Sequence, residues 1–81
     1  MTGCREEVLG AAREIVRRKG KNEFTVVEVI DFLRRQGSEY EDSTIRTHIV
    51  SRCCGNANKH HGTTYDDFRR VSRGVYRLTM Y

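Results

Sequence analysis

The chain has 81 residues, 37% hydrophobic and 32% charged, with no Pro; this length holds one core and no second, and the composition is too apolar for a disordered tail. No run approaches the ~18 consecutive apolar residues of a membrane span, and Met1-Thr2-Gly3-Cys4-Arg5 leads into charge rather than an apolar signal region, so a single domain over 1–81, cytoplasmic and without a membrane partner, is expected. The formal net charge of +4 is unevenly spread: residues 1–42 hold 8 basic and 9 acidic side chains, whereas residues 43–81 hold 7 basic and 2 acidic, a net of +5, the footprint of a polyanion-binding face or of a solvated basic surface.

From Arg5 to Lys19, Val8, Leu9, Ala12, Ile15 and Val16 recur at the spacing of one helix face, with Glu6, Arg13, Glu14 and Arg17 on the other. Arg17, Arg18 and Lys19 ahead of Gly20 suit the negative end of a helix dipole and a left-handed cap. Phe24-Thr25 is a short extended stretch. Thr25 with Glu28 three residues on has the capping-box spacing, which opens a second helix over 26–36 with Val26, Val29, Ile30 and Leu33 inside. After a polar turn over 37–42, Ser43 reads as the cap of a third helix over 44–54. Gly55-Asn56 stops that helix, and residues 55–67 have no period and read as a loop. Phe68 to Ser72 and Val75 to Thr79, separated by Arg73-Gly74, predict a β-hairpin over 68–79. Tyr76 and Leu78 alternate onto its inner face, and the three-residue spacing of Phe68 and Val71 demands a bulge or a late strand start. The fold class is α+β, a three-helix bundle with a C-terminal β-hairpin.

Two helices joined by a tight turn containing Gly, the second opened by a hydroxyl cap, form the helix-turn-helix pattern. With Ser43-Thr44-Ile45-Arg46-Thr47-His48-Ile49 and the later Arg70-Val71-Ser72-Arg73-Gly74-Val75-Tyr76-Arg77-Leu78, the order of elements over residues 5–79 resembles winged helix-turn-helix DNA-binding domains. It is similar to the small winged-helix modules that accompany bacterial restriction and modification systems. The resemblance implies a double-stranded DNA partner, a recognition helix in the major groove, the hairpin as the wing, and a nucleoid-associated location. It also implies service in transcription regulation or in restriction and modification, with binding that depends on sequence or on base methylation.

The residues themselves carry the same chemistry. A helical wheel groups Ile45, Ile49 and Cys53 on the inner rail of helix three, with Val50 at its margin. Thr44, Thr47, His48 and Ser51 take the opposite arc, where short hydroxyl and imidazole groups suit base edges, although Ser and Thr are also common on any solvated helix face. Arg46 flanks this arc as a phosphate or guanine partner, Arg52 lies nearer the apolar rail, and Ser43 with the free N–H groups at the helix start is placed to hold a phosphate. In the hairpin, Arg69, Arg70, Arg73 and Arg77 alternate with apolar residues, and no acid after Asp67 balances them. Lys59, His60 and His61 extend this surface from the loop.

The three cysteines Cys4, Cys53 and Cys54 cannot all pair, and adjacent Cys53-Cys54 make a poor disulfide, so reduced thiols are expected. Cys53-Cys54 with His60-His61 has zinc-type ligands, but adjacent ligands rarely converge on one ion. No metal and no cofactor is expected. Asp66-Asp67, the histidines and the thiols form no set of nucleophile, base and orienting group, so the chain reads as a non-enzyme. A second reading is a protein-protein interaction module, with a partner protein or a second copy, because such folds also serve as docking domains. The acid-free C-terminal face favours DNA over it, and the core-like placing of Phe24, Phe32, Phe68 and Tyr76 disfavours RNA stacking.

Overall fold

The computed structural model describes residues 3–52 and 67–79, with the main chain alone at 51 and 52. Helix α1 (Cys4–Lys19) forms on the predicted stripe: Val8, Ala12, Ile15 and Val16 are buried, joined by Cys4 and Ala11. It starts one residue earlier than periodicity indicates, with Gly3 as its N-cap. Glu6 and Glu7 in its first turn and Arg17, Arg18 and Lys19 in its last complement the helix dipole. Burial raises the Cys4 thiol above its usual range, and the neighbouring Glu7 carboxylate adds to the effect.

Strand β1 (Phe24–Thr25) leads straight into helix α2 (Val26–Arg35). The capping box is present in both directions: the Glu28 N–H donates to Thr25 Oγ1 at 3.1 Å, and the Thr25 N–H donates to Glu28 Oε1 at 2.8 Å. At the other end Ser38 N–H bonds Leu33 O at 3.0 Å and Gly37 N–H bonds Arg34 O at 3.1 Å, the Schellman pattern. It requires a left-handed residue after the helix, which Gly37 supplies at φ 79°.

The third helix corrects the sequence reading. Helix α3 runs over Asp42–Thr47 and continues as a π-helical segment over His48–Arg52, and its N-cap is Glu41, without a side-chain cap bond. Ser43 therefore lies inside the helix and caps nothing. The cause is tertiary: Arg34 on α2 donates to Asp42 Oδ1 at 2.7 Å, which draws Asp42 into the first turn. Ile45 and Ile49 are buried as the wheel requires, at 1% and 0% exposure. The expected course through 53–54, the inner position of Cys53, and the loop, apart from Asp67, lie outside the described residues.

Strands β2 (Phe68–Ser72) and β3 (Val75–Leu78) form the hairpin, and β1 joins it in a three-stranded antiparallel sheet of order β1-β3-β2. Phe24 lies opposite Tyr76, and Phe68 opposite Leu78. Arg70 pairs with Tyr76 but Ser72 with Val75, so Val71 is the extra residue of a bulge. The Arg73-Gly74 turn takes the left-handed conformation only at Gly74, φ 75°. Asn22 ties the sheet from outside β1: its amide donates to Leu78 O at 2.9 Å and accepts from Leu78 N–H at 2.8 Å.

The core lies where the sheet meets the helices. Phe24 packs edge-on against Phe68, with ring centroids 5.0 Å apart, and lies stacked near Tyr76 at 6.3 Å. Val8, Val16, Val29, Ile45 and Ile49 close around this trio. Phe32 is only partly buried against the core, with the Arg18 guanidinium 5.6 Å above its ring.

Candidate nucleic-acid interface

Helix α3 sets its buried Ile45 inward, which turns Ser43, Arg46 and Thr47 out to solvent and leaves Thr44 and His48 half-buried at the sides. A shallow groove of about 330 Å³ is lined by Ser43, Thr44, Thr47 and His48. Three of the expected base-reading residues, Thr44, Thr47 and His48, are thus brought together with Ser43, the expected phosphate holder, and Arg46 lies beside them on the same helix. Thr47 Oγ1 donates to Ser43 O at 2.9 Å, so its proton is committed to the helix and its oxygen faces outward as an acceptor. The wheel holds through Thr47 and still sets Ile49 inward. The π turn that begins at His48 bonds i to i+5 and so rotates later positions away from α-helical register. Val50 is 37% exposed, and the side chain of Ser51 lies outside the described residues, as do Lys59, His60, His61 and the side chain of Arg52.

In the hairpin, directly paired residues project to the same face of the sheet. Arg69 lies opposite Arg77, and both are exposed. Arg73 is exposed at the turn. Arg70, by contrast, lies opposite buried Tyr76, on the inward-facing side of an edge strand, and remains exposed there because β2 outruns the core. The four arginines therefore do not form one outward row. Nor does Val71 close the core: the bulge leaves it 49% exposed.

The charges are sorted by region. Arg5 binds Asp67 in a two-pronged pair at 2.9 and 3.0 Å. Arg17 and Arg18 share Glu14, Lys19 holds Glu28 at 2.6 Å, Lys21 faces Glu23, and Arg34 holds Asp42. The Glu14 carboxyl is lowered by its bond from Arg17, the Arg17 guanidinium is raised by the same bond, and Arg34 is raised by Asp42. Arg46, Arg69, Arg73 and Arg77 make no ion pair among the described residues. Sequence reasoning missed the reason Asp67 does not balance the hairpin, because its partner Arg5 lies 62 residues away. No local feature of the sequence signals that pairing.

Among the described residues no three His, Cys, Asp or Glu side chains converge as a metal site would need, and no helix is long and apolar enough to cross a membrane. The cysteine and histidine pairs weighed for zinc lie outside the described residues. Comparison with the curated proteins and with the solved structures gives no match. The model of a family described as a domain of unknown function, DUF7669, matches residues 5–78, a span that takes in all but the first residue of α1 and every later helix and strand, and the chain accordingly belongs to the DUF7669 family.

Proposed function

We propose that this domain is a non-enzymatic, duplex-DNA-binding module of winged helix-turn-helix type. The observation that carries the reading is the set of exposed arginines Arg46, Arg69, Arg73 and Arg77, without an ion pair among the described residues of a chain that pairs most of its other described cations. Arg69 and Arg77 face each other directly, a like-charge arrangement that weakens the free hairpin and that a phosphate between or beside them would relieve. Helix α2, the turn after Gly37 and helix α3 supply the helix-turn-helix, and β2 and β3 supply the wing.

In this reading the arginines bind phosphates and set the register on the duplex, while Ser43, Thr44, Thr47 and His48 meet base edges in the major groove. Thr47, whose proton is committed to Ser43 O, acts as an acceptor and so favours the exposed amino groups of adenine or cytosine. Base preference and any dependence on methylation arise on this helix face. Regulation of transcription and service to a restriction and modification system are both compatible with such a module.

The test is fluorescence anisotropy with a random-sequence duplex of about two helical turns. Four phosphate contacts give a slope of about −3.6 in log affinity against log salt, a loss of about 10²-fold between about 50 and 200 mM. Absence of binding at the lowest salt, or affinity that does not respond to salt, would overturn the reading.

A further inference from the structure

We propose that the groove between α1 and the turn after α2 docks a lysine- or arginine-bearing segment of a partner protein, independently of any duplex bound elsewhere. The groove has a volume of about 560 Å³. Its floor is apolar, formed by buried Ala11 and Leu33 and half-buried Phe32, and its rim carries Glu6, Glu7 and Glu39. No cationic side chain lines it among the described residues.

The carboxylates decide what kind of occupant fits. Glu14, Glu23, Glu28, Asp42 and Asp67 each have a cationic partner within the chain. Of the other described carboxylates, Asp31 interacts with Arg34, whereas Glu6, Glu7, Glu39 and Glu41 have no cationic partner among the described residues, and three of these four line this one groove. Glu7 is held in place there by the Ser38 hydroxyl, which donates to it at 2.7 Å. A negative rim over an apolar floor repels phosphate and attracts an ammonium or guanidinium group carried on an aliphatic stem. Three metal-binding side chains do not converge here, so an organic cation fits better than a divalent ion.

Gly10 adds a second, independent observation. It sits in the middle of α1, is exposed at the groove, has ordinary helical φ, and a Cβ built on it would meet nothing within 4 Å. The fold therefore gains nothing from glycine at this position and loses helix stability by having it. What glycine does provide is bare helix backbone beside the apolar floor, where an incoming main chain can approach closely. A cationic peptide with a neighbouring apolar residue uses all three features: the rim for its charge, the floor for its apolar side chain, and Gly10 for its backbone.

The experiment is an amide chemical-shift titration of the ¹⁵N-labelled full chain with the capped tripeptide acetyl-Arg-Leu-Arg-amide. The capped acidic analogue acetyl-Glu-Leu-Glu-amide and spermidine serve as comparisons. Saturable shifts centred on Gly10, Leu33 and Glu39, with the basic peptide alone, are expected. The combined change Glu6→Gln and Glu39→Gln should weaken that binding by about threefold or more. Gly10→Ala should raise the melting temperature while weakening the peptide, a pair of opposite effects that a purely structural role for Gly10 does not produce. No saturable shift at the groove, equal shifts with the acidic peptide, or equal shifts with spermidine would each overturn the proposal. Duplex binding, measured separately, should be the same for wild type and both groove variants, so failure here leaves the DNA reading standing.

Discussion

Arg69→Glu should make the free protein more stable and its hold on DNA weaker. Arg69 and Arg77 are exposed and directly opposite on adjacent strands, and neither has an ion pair among the described residues. Opposite-charge pairs in this position contribute roughly 0.2–1 kcal/mol and like charges cost comparable amounts. The substitution exchanges a repulsion for an attraction, so discounted for exposure it should stabilise by about 0.5–1 kcal/mol. For a domain of this size that is a rise in melting temperature of about 2–8 °C. The nearest other acid along β2 is Asp67, already held by Arg5 at 2.9 Å, so the new carboxylate meets little opposing charge. On duplex DNA the same change removes one phosphate contact and adds a negative charge, which should reduce the salt slope by about one to two units. Differential scanning fluorimetry and anisotropy across a salt series read the two effects. A lower melting temperature would refute the strain assigned to the arginine pair, and an unchanged slope would refute the hairpin as a phosphate contact.

Further outcomes follow from other parts of the structure. Thr25→Ala removes the hydroxyl that accepts from Glu28 N–H and should cost about 1 kcal/mol in urea unfolding with an unchanged m-value. Burial raises the Glu28 carboxyl, but the bonds from Lys19 and from the Thr25 N–H outweigh it and leave the group lowered. Its charge therefore stabilises the fold above the unfolded-state value and loses that contribution as pH falls through the folded one. The melting-temperature gap between wild type and Glu28→Gln should then be present at about pH 6 and close by about pH 3, and a gap that persists in acid would refute the charge as its cause. Thr47→Ala should leave stability within about 0.5 kcal/mol of wild type yet reduce the preference for a selected duplex over random duplex by about 1–3 kcal/mol in competition binding. An unaltered preference would remove Thr47 from the reading surface. Arg5→Ala frees Asp67 beside the hairpin and should weaken duplex binding more than Arg13→Ala does; adding Asp67→Asn to it should restore affinity, and equal loss from the two arginine changes would refute the compensating role of Arg5.

The parts of the fold legible in sequence are those whose determinants lie within a few residues. The stripe from Val8 to Val16, the Thr25 and Glu28 box, and the alternation of Tyr76 and Leu78 each state their own structure. The spacing of Phe68 and Val71 called for a bulge or a late strand start, and the register supplies the bulge at Val71. What escaped is non-local. Ser43 has the chemistry of a cap, but Arg34 reaches across from α2 to Asp42 and starts the helix earlier. Asn22 fastens to Leu78 across 56 residues, and neither residue alone signals that bond. The π turn at His48–Arg52 has no distinct apolar period and so is not announced in the sequence, although Ile49 within it is buried as the wheel requires. The candidate site was legible as residue types, and the side of the sheet that each arginine occupies was not, because only the cross-strand register sets Arg69 against Arg77 and Arg70 against buried Tyr76.

The two surfaces inferred here have one physical origin, the way secondary structure distributes charge. On α1, residues three and four apart are neighbours, so Glu14 meets Arg17 and Arg18 and part of the charge of that stretch is offset locally, within a Debye length of ~8 Å at physiological salt. On β2 and β3 the neighbours lie across the strands, and the register sets arginine against arginine. Among the described residues the acid at the base of the hairpin is Asp67, which is drawn off by Arg5 and is 14% exposed. At the groove, Glu6 and Glu39 lack partners because the residues that approach them from α2 and its turn are Phe32, Leu33, Gln36 and Gly37, none of them cationic. Each unpaired set keeps its field because the fold has spent its opposite charges locally elsewhere. In the proposed readings the hairpin and helix α3 would meet phosphates and the negative groove a cationic segment, and the two could be occupied together because no residue belongs to both.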